Sequence, residues 1–367
     1  MLVLVLVIVI DEGQIYRGRE RVVQEASGFT TLSENESSGP ALEVHVLISR
    51  QKNRRFMAQA ATQTQSAPLS AGDAPLLTLI HFGDLHVWRL GLDGELYPKR
   101  FFGLANLLLR RGRSFPEGVG RAVVRQISRE RADGVLFSGD LTTTSLRAEF
   151  LLGRRLLDPI VRRWGERFIA IPGNHDRYTP GAVRARLFES LFLGRRAEFP
   201  FALDLDERWT LVGFDCSVAR LLSSRGRMSP EGLAPLDAIL AEQERRGRRL
   251  VVMGHYPLLY PPGRRPSWEH VLPERARVRE VLERRGVRVY LHGHTHFRWR
   301  LEADGMTHLN CGSAGQAGRH PEHRPGYLKI QLGPGRVESV RAIWLSADPR
   351  AADAAAWRDE ELVPQQM

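Results

Sequence analysis

The chain has 367 residues, 43% of them hydrophobic, with 53 Lys and Arg against 42 Asp and Glu, a net charge of +11. That length and apolar content suit a core-forming soluble protein and exclude gross disorder, while the positive balance draws anionic partners, whether phosphates, nucleic acid or an acidic membrane. The two cysteines, Cys216 and Cys311, match no zinc spacing, which excludes a disulfide framework and a cysteine metal site and fits a reducing, cytoplasmic setting.

In chain order, Leu2 to Ile10 is an apolar run too short to span a bilayer. It has no basic residue before it and no small-residue cleavage pattern after it, so it reads poorly as a secretory signal. Residues 11–73 are rich in Ser, Thr, Gln and Glu with weak periodicity, so residues 1–73 read as a poorly ordered extension. Organised sequence begins near Pro75, which makes Met57 a candidate translation start that intact mass would test. From there short runs rich in β-branched residues alternate with stretches of helical period, an α/β signature. Strands are expected at 76–82, 134–138, 167–171, 209–214, 250–253 and 287–291, with more near 306–310, 327–332 and 337–344. A helix is expected from the Ser229-Pro230 cap, carrying Leu233, Leu236 and Leu240 on one face and ending before Gly247. The domain is expected over 74–346, and the tail at 347–367 reads as a helix at most, or a frayed end.

Five of these strands end in clusters of metal-binding residue types: His81-Phe-Gly-Asp84-Leu-His86, Ser138-Gly-Asp140, Pro172-Gly-Asn174-His175-Asp176, Gly254-His255-Tyr-Pro257 and Gly293-His294-Thr-His296. Loops beyond the carboxyl ends of strands are where open α/β sheets bind ligands, so the clusters are expected to converge on one pocket. Side chains two apart on an extended segment point the same way, so Asp84 with His86, and His294 with His296, are expected to act as pairs. The flanking glycines let backbone approach closely without a Cβ. Imidazole, carboxylate and amide together suit Mn, Zn or Fe better than calcium. A single histidine of this kind is more often a surface or core residue; the ordered set reverses that expectation.

The order Asp-x-His, Gly-Asp, Gly-Asn-His-Asp, Gly-His, Gly-His-x-His resembles the calcineurin-like metallophosphoesterases over about 78–313, and most resembles their bacterial cyclic-nucleotide phosphodiesterase-like branch. The resemblance implies a two-sheet αββα sandwich with the site at the strand C-terminal ends. It implies one metal bound by Asp84, His86, Asp140 and His296, and a second by Asp140, Asn174, His255 and His294, with Asp140 bridging two divalent or mixed-valence ions. His175 resembles the family's non-ligand catalytic histidine facing the substrate phosphate. Many members carry an acidic residue three positions after the bridging Asp, where this chain has Thr143, a departure that bears on metal tuning. The implied chemistry is hydrolysis by a hydroxide that the metals generate, with His175 assisting the leaving oxygen. Asp176 reads as an orienting carboxylate, Cys311 as packing near the pocket wall, and His81, His270, His292, His308, His320 and His323 as structural or solvated.

Lys99 to Arg131 holds nine Lys or Arg against two Glu, with Leu104, Leu107 and Leu108 on one helical face. Such a basic amphipathic insertion can rest on an anionic membrane or simply pack on the sheet. No stacking motif for nucleic acid is evident. The expected activity is phosphodiester hydrolysis, cyclic nucleotides included. The alternatives are a lipid-linked phosphate or pyrophosphate at the inner membrane face, and a non-catalytic metal-binding scaffold.

Overall fold

The computed structural model describes residues 75–91, 114–194, 197–318, 320–346 and 356–366, with the backbone of a hairpin that pairs Val9–Asp11 antiparallel to Gln14–Tyr16. The chain divides into two units, 1–65 and 66–367, and the five histidine-rich and aspartate-rich motifs all fall in the second. The remainder of the 1–73 extension, and Leu104, Leu107 and Leu108 of the basic insertion, lie outside the described residues.

In the second unit the first strand, β1 (Leu77–Phe82), shows how the layers arise. Its odd residues Leu77 and Leu79 face one core and its even residues Ile80 and Phe82 another, as the two-residue period of a strand requires. β2 (Gly134–Phe137) and β3 (Phe168–Ala170) extend it in parallel. These strands are buried on both faces and so read as continuous apolar runs. Their outer face is covered by α1 (Glu117–Ile127), the described end of the basic insertion, and by α2 (Arg147–Trp164), through Val123, Ile127, Phe150 and Leu157.

The second sheet is built likewise. β4 (Phe201–Asp204), β5 (Trp209–Gly213), β6 (Arg249–Met253) and β7 (Val289–His292) are followed by the hairpin of β8 (Arg298–Ala303) and β9 (Met306–Cys311). β5, β6, β7 and β9 run parallel. The outer face takes α4 (Pro230–Arg245) and α5 (Arg275–Arg284); a short α3 (Pro180–Arg184) lies between β3 and β4. Ser229 caps α4 by accepting from the Gly232 N–H, and the leucine face buries Leu236 and Leu240 with Leu233 partly covered.

β10 (Gly326–Leu332) and β11 (Val337–Leu345) then return to the first sheet, antiparallel beside β1. The inner faces of the two sheets meet in one core that includes Leu79, Leu136, Leu211, Val251, Leu291, Leu309 and Leu328. Helix, sheet, sheet, helix is the expected order of layers.

The tail departs from its expectation. It forms strands, not a helix: β12 (Trp357–Glu361) pairs with β11 at the edge of the first sheet, and β13 (Gln365–Gln366) pairs with β8 at the edge of the second. Between them Leu362 packs on the inter-sheet core, and its N–H donates to the Val340 carbonyl at 2.8 Å. Unsatisfied edges of two sheets outweigh the weak helical propensity of a short exposed segment.

Candidate metal centre

β1, β2, β3, β6 and β7 all end on the same side, and their following loops carry the five motifs. The loops are tied before any side chain is considered: the Asp84 N–H donates to Gly139 O at 2.9 Å, and His86 N–H to Asp140 O at 3.0 Å. Asp176, buried, accepts from the N–H groups of Leu141, Thr142 and Gly173 at 2.9–3.1 Å. It is an orienting carboxylate between two motif loops, as its sequence suggested.

One expectation fails in its reason. Asp84/His86 and His294/His296 do not lie on extended backbone, because β1 stops at Phe82 and β7 at His292. Asp84, His86, Asp140, His294 and His296 have φ of 54°, 49°, 57°, 73° and 57°, in the left-handed region that few non-glycine residues adopt. Strain of this kind, on the order of 1–3 kcal/mol per residue, persists where surrounding structure enforces it and marks functional sites. Close approach is the other local device. A Cβ on Gly173 would stand 2.2 Å from Asp140 Oδ1, and one on Gly293 would stand 2.2 Å from Asp84 Oδ2.

These turns aim the donor atoms inward. His86 Nε2 lies 3.0 Å from His296 Nε2, and His296 Nε2 lies 3.1 Å from Asp84 Oδ1; His86 Nε2 is 3.6 Å from Asp140 Oδ2. On the other side of Asp140, His255 Nε2 lies 3.4 Å from Oδ2, 3.1 Å from Asn174 Oδ1 and 3.3 Å from His294 Nδ1. Donors bound about 2.1 Å from one cation stand about 3.0–3.4 Å apart along the edges of its coordination polyhedron, so the spacing fits two cation positions sharing Asp140. The donor atoms of Asp84, His86, Asp140 and His296, and separately those of Asp140, His255 and His294, lie within 4.8 Å of one another. Asn174 joins the second set through its contact with His255.

Tautomers follow from the partners, because a carbonyl oxygen only accepts. His255 Nδ1 faces Ser138 O at 2.8 Å and His294 Nε2 faces His270 O at 2.9 Å, so each donates outward and turns its other nitrogen to the centre. Burial opposes ionisation of Asp140, but His255, His175 and His86 hold its carboxyl well below the usual range. In return, against its own burial, Asp140 raises His255 to about 9. Burial, then His255, push His294 well below its usual value, keeping it neutral as a ligand must be.

His175 sits beside the cluster without joining it. Its N–H donates to Asp140 Oδ1 at 2.7 Å, its ring is stacked on Tyr178, and its Nδ1 donates to Thr143 O at 2.6 Å, leaving Nε2 as the working nitrogen. Thr143 therefore has a structural duty: its carbonyl orients His175 and its hydroxyl donates to His86 O at 2.9 Å. Asp140, Asn174, His175, His294 and His296 open into one cavity of about 680 Å³, whose outer part is formed by Leu221, Leu222, Tyr260, Arg264, Arg265 and Phe297.

The sequence profile of the calcineurin-like phosphoesterases matches residues 77–298, more than half of the chain. The chain belongs to the calcineurin-like phosphoesterase family. No curated protein matches its sequence. In fold this family member is similar to a dimetal phosphatase from Danio rerio, at 16% identity over 79% of this chain and 98% of that one, with a TM-score of 0.47. It is similar to a purple acid phosphatase from yellow lupin, at 14% identity over 80% and 55%, with a TM-score of 0.48; the chain spans about half the length of that protein.

Several residues that sequence reasoning passed over support this phosphoesterase site. Asn310 Nδ2 donates to Gly293 O and to Thr295 Oγ1 at 2.6 and 2.8 Å, pinning the Gly-His-x-His loop. Ser313 Oγ donates to Asp84 O at 2.6 Å. Phe115 packs edge-on to the His86 ring, centroids 4.6 Å apart. His270, expected to be structural or solvated, supplies the carbonyl that orients His294 and lines the cavity. An Asn-Cys-Gly-Ser run and a lone Phe carry no chemical signature, so only their placement reveals these duties. Cys311 is buried packing, its Sγ 3.5 Å from Ser138 Oγ.

Proposed function

We propose that the protein hydrolyses a phosphodiester, cyclic nucleotides included, using two divalent or mixed-valence ions (Mn, Fe or Zn) held by Asp84, His86, Asp140, Asn174, His255, His294 and His296. The observation that carries this reading is the convergence of unlike donors about 3 Å apart on the two sides of one carboxylate. The mixed nitrogen and oxygen donor set fits borderline transition ions. Bound there, the cations would supply an acidified water and charge neutralisation for attack on phosphorus.

The remaining work falls to the chain. Asp140, with one oxygen fixed by the His175 N–H, holds both halves of the centre in register. His175 lines the cavity and, as the imidazolium with a proton on Nε2 as well as on Nδ1, would donate a hydrogen bond to the departing oxygen as its charge grows. Tyr178 and Thr143 keep that ring in one orientation, so no rearrangement accompanies the step. The cavity extends well beyond the donor cluster, with room for a second ester substituent, which favours a diester over a small monoester. Two cysteines outside any disulfide, Cys216 and Cys311, fit a cytoplasmic setting. No described helix is long and apolar enough to cross a membrane.

The test is hydrolysis of bis-p-nitrophenyl phosphate beside p-nitrophenyl phosphate, by metal-stripped protein resupplied with Mn, Zn, Fe or Mg. Turnover of the diester restored by metal, and lost together with metal binding in Asp140→Asn, is the expected result. Stoichiometric metal binding with no turnover of either ester would favour the scaffold reading.

A further inference from the structure

Two loops form the outer part of the cavity: residues 217–228 after β5, and residues 260–271 between β6 and α5. They are joined as one unit, Ser224 N–H donating to Glu269 O at 3.0 Å and Gly226 N–H to Val271 O at 3.1 Å. Their tips place large apolar side chains in water: Leu222 is 82% exposed, Trp268 66% and Leu221 43%. Interleaved with them are cations. Arg264 and Arg265 line the cavity, and the Arg225 guanidinium lies 5.8 Å from the Trp268 ring centroid. Opposing carboxylates are few. Glu269 lines the cavity, and Glu322 approaches Arg264 only to 3.9 Å with both side chains about half in water. Arg265 has no ion-pair partner among the described residues.

Leucine and tryptophan side chains held largely in water on two joined loops beside the cavity offer apolar surface for a contact with something else. The arginines between them specify its charge. Trp and Leu favour the boundary between lipid headgroups and acyl chains, and arginines beside them favour anionic headgroups, a combination that distinguishes a lipid surface from a neutral protein groove. We infer that this rim seats on an anionic lipid surface, and that the phosphoester enters the cavity from that surface as the headgroup of an amphiphile. Leu221, Leu222 and Trp268 enter the interfacial layer. Arg225, Arg264 and Arg265 meet the phosphates, and the donor cluster stands behind them. The second half of the inference rests on the phosphoesterase reading; the docking half does not.

The experiment is co-sedimentation of the full chain with vesicles of phosphatidylglycerol and phosphatidylcholine, against phosphatidylcholine alone, at low and high salt. It compares wild type with a Leu222→Ser, Trp268→Ser double variant. Binding to the anionic vesicles, weakened by salt and reduced about tenfold or more in the variant, is expected. No binding to anionic vesicles, or equal binding by both proteins, overturns the docking surface. In parallel, the metal-loaded proteins are given bis-p-nitrophenyl phosphate and the phosphodiester of p-nitrophenol with a long-chain alcohol, presented in anionic mixed micelles. A wild-type preference for the alkyl ester that the variant loses is expected. Rim-dependent vesicle binding with no such preference overturns the amphiphilic substrate alone, whereas vesicle binding with no turnover of either ester overturns the phosphoesterase reading and leaves the rim standing.

Discussion

His175 illustrates how one side chain is separated from its neighbours for a different task. The flanking Asn174 turns its amide oxygen to His255, whereas the His175 ring packs edge-on to His86, centroids 4.6 Å apart, held by the Thr143 carbonyl and by Tyr178. Replacing it by alanine removes the ring nitrogens but keeps the backbone N–H that fixes Asp140. His175→Ala is therefore expected to lower kcat by on the order of 10²–10⁴-fold while metal content stays that of wild type. Steady-state kinetics beside elemental analysis checks this, and loss of metal would recast His175 as part of the cation site. Gly293 gives the opposite case, where the smallest residue matters most. A methyl group there meets the Asp84 carboxylate at 2.2 Å, so Gly293→Ala is expected to cost metal affinity first and activity as a consequence, measurable by competition with a chelator. The motifs made both residues readable. Thr143, Asn310 and Ser313 act through hydrogen bonds between segments separated in sequence, which no local pattern announces.

At the level of elements, the centre depends on keeping the ends of two sheets in register. Arg177 follows the Gly-Asn-His-Asp motif of the first sheet. Its guanidinium makes paired bonds of 2.6 and 3.1 Å to Glu189 and donates at 3.0 Å to Asp215, which follows β5 of the second sheet. Arg177 and Glu189 are almost fully buried. Burial raises the Asp215 carboxyl even with Arg177 beside it, while Arg177 prevails over burial to hold Glu189 below its usual range. Arg177→Met would strand two carboxylates, and a loss of about 3–5 kcal/mol is expected in denaturant melts. That deficit should shrink in acid, where protonation removes the stranded charges; an unchanged deficit would assign the loss to packing. The strands with continuous apolar runs were legible from sequence because both faces are covered. β4, β8, β12 and β13 were not, since a polar or short edge strand such as Trp-Arg-Asp-Glu-Glu is strand only when a neighbour offers its unpaired edge.

Across the whole molecule, burying histidines outside the centre shapes the response to pH. His81 is enclosed between the sheets and His308 beneath the outer layer, both 0% exposed and with neither ring nitrogen partnered among the described residues. Burial pushes His81 down to about 3 and His308 to about 4. Their folded values lie below the ordinary 6.5, so the unfolded chain takes up protons that the folded chain refuses. Stability should then fall as pH drops below 6.5, by about 1.4 kcal/mol per unit for each histidine until the folded value is reached. Urea midpoints between pH 7 and pH 5 should show that slope, and His81→Leu should flatten it without loss at pH 7; an unaltered slope would show that His81 is not its source. The sequence by itself determined the α/β class, the strands buried on both faces and the residue types at each strand end, because period, composition and motif spacing are local properties of the chain; the layer order came only through the family resemblance that the motifs carry. Tertiary structure alone decided that five of the seven candidate ligands reach the centre through left-handed turns, that the tail pairs with an edge of each sheet, and that Leu222 lines the cavity with Arg264 and Arg265 while Trp268 stands exposed on the adjoining loop. Those outcomes depend on contacts between segments tens to hundreds of residues apart, whose energies no local window contains.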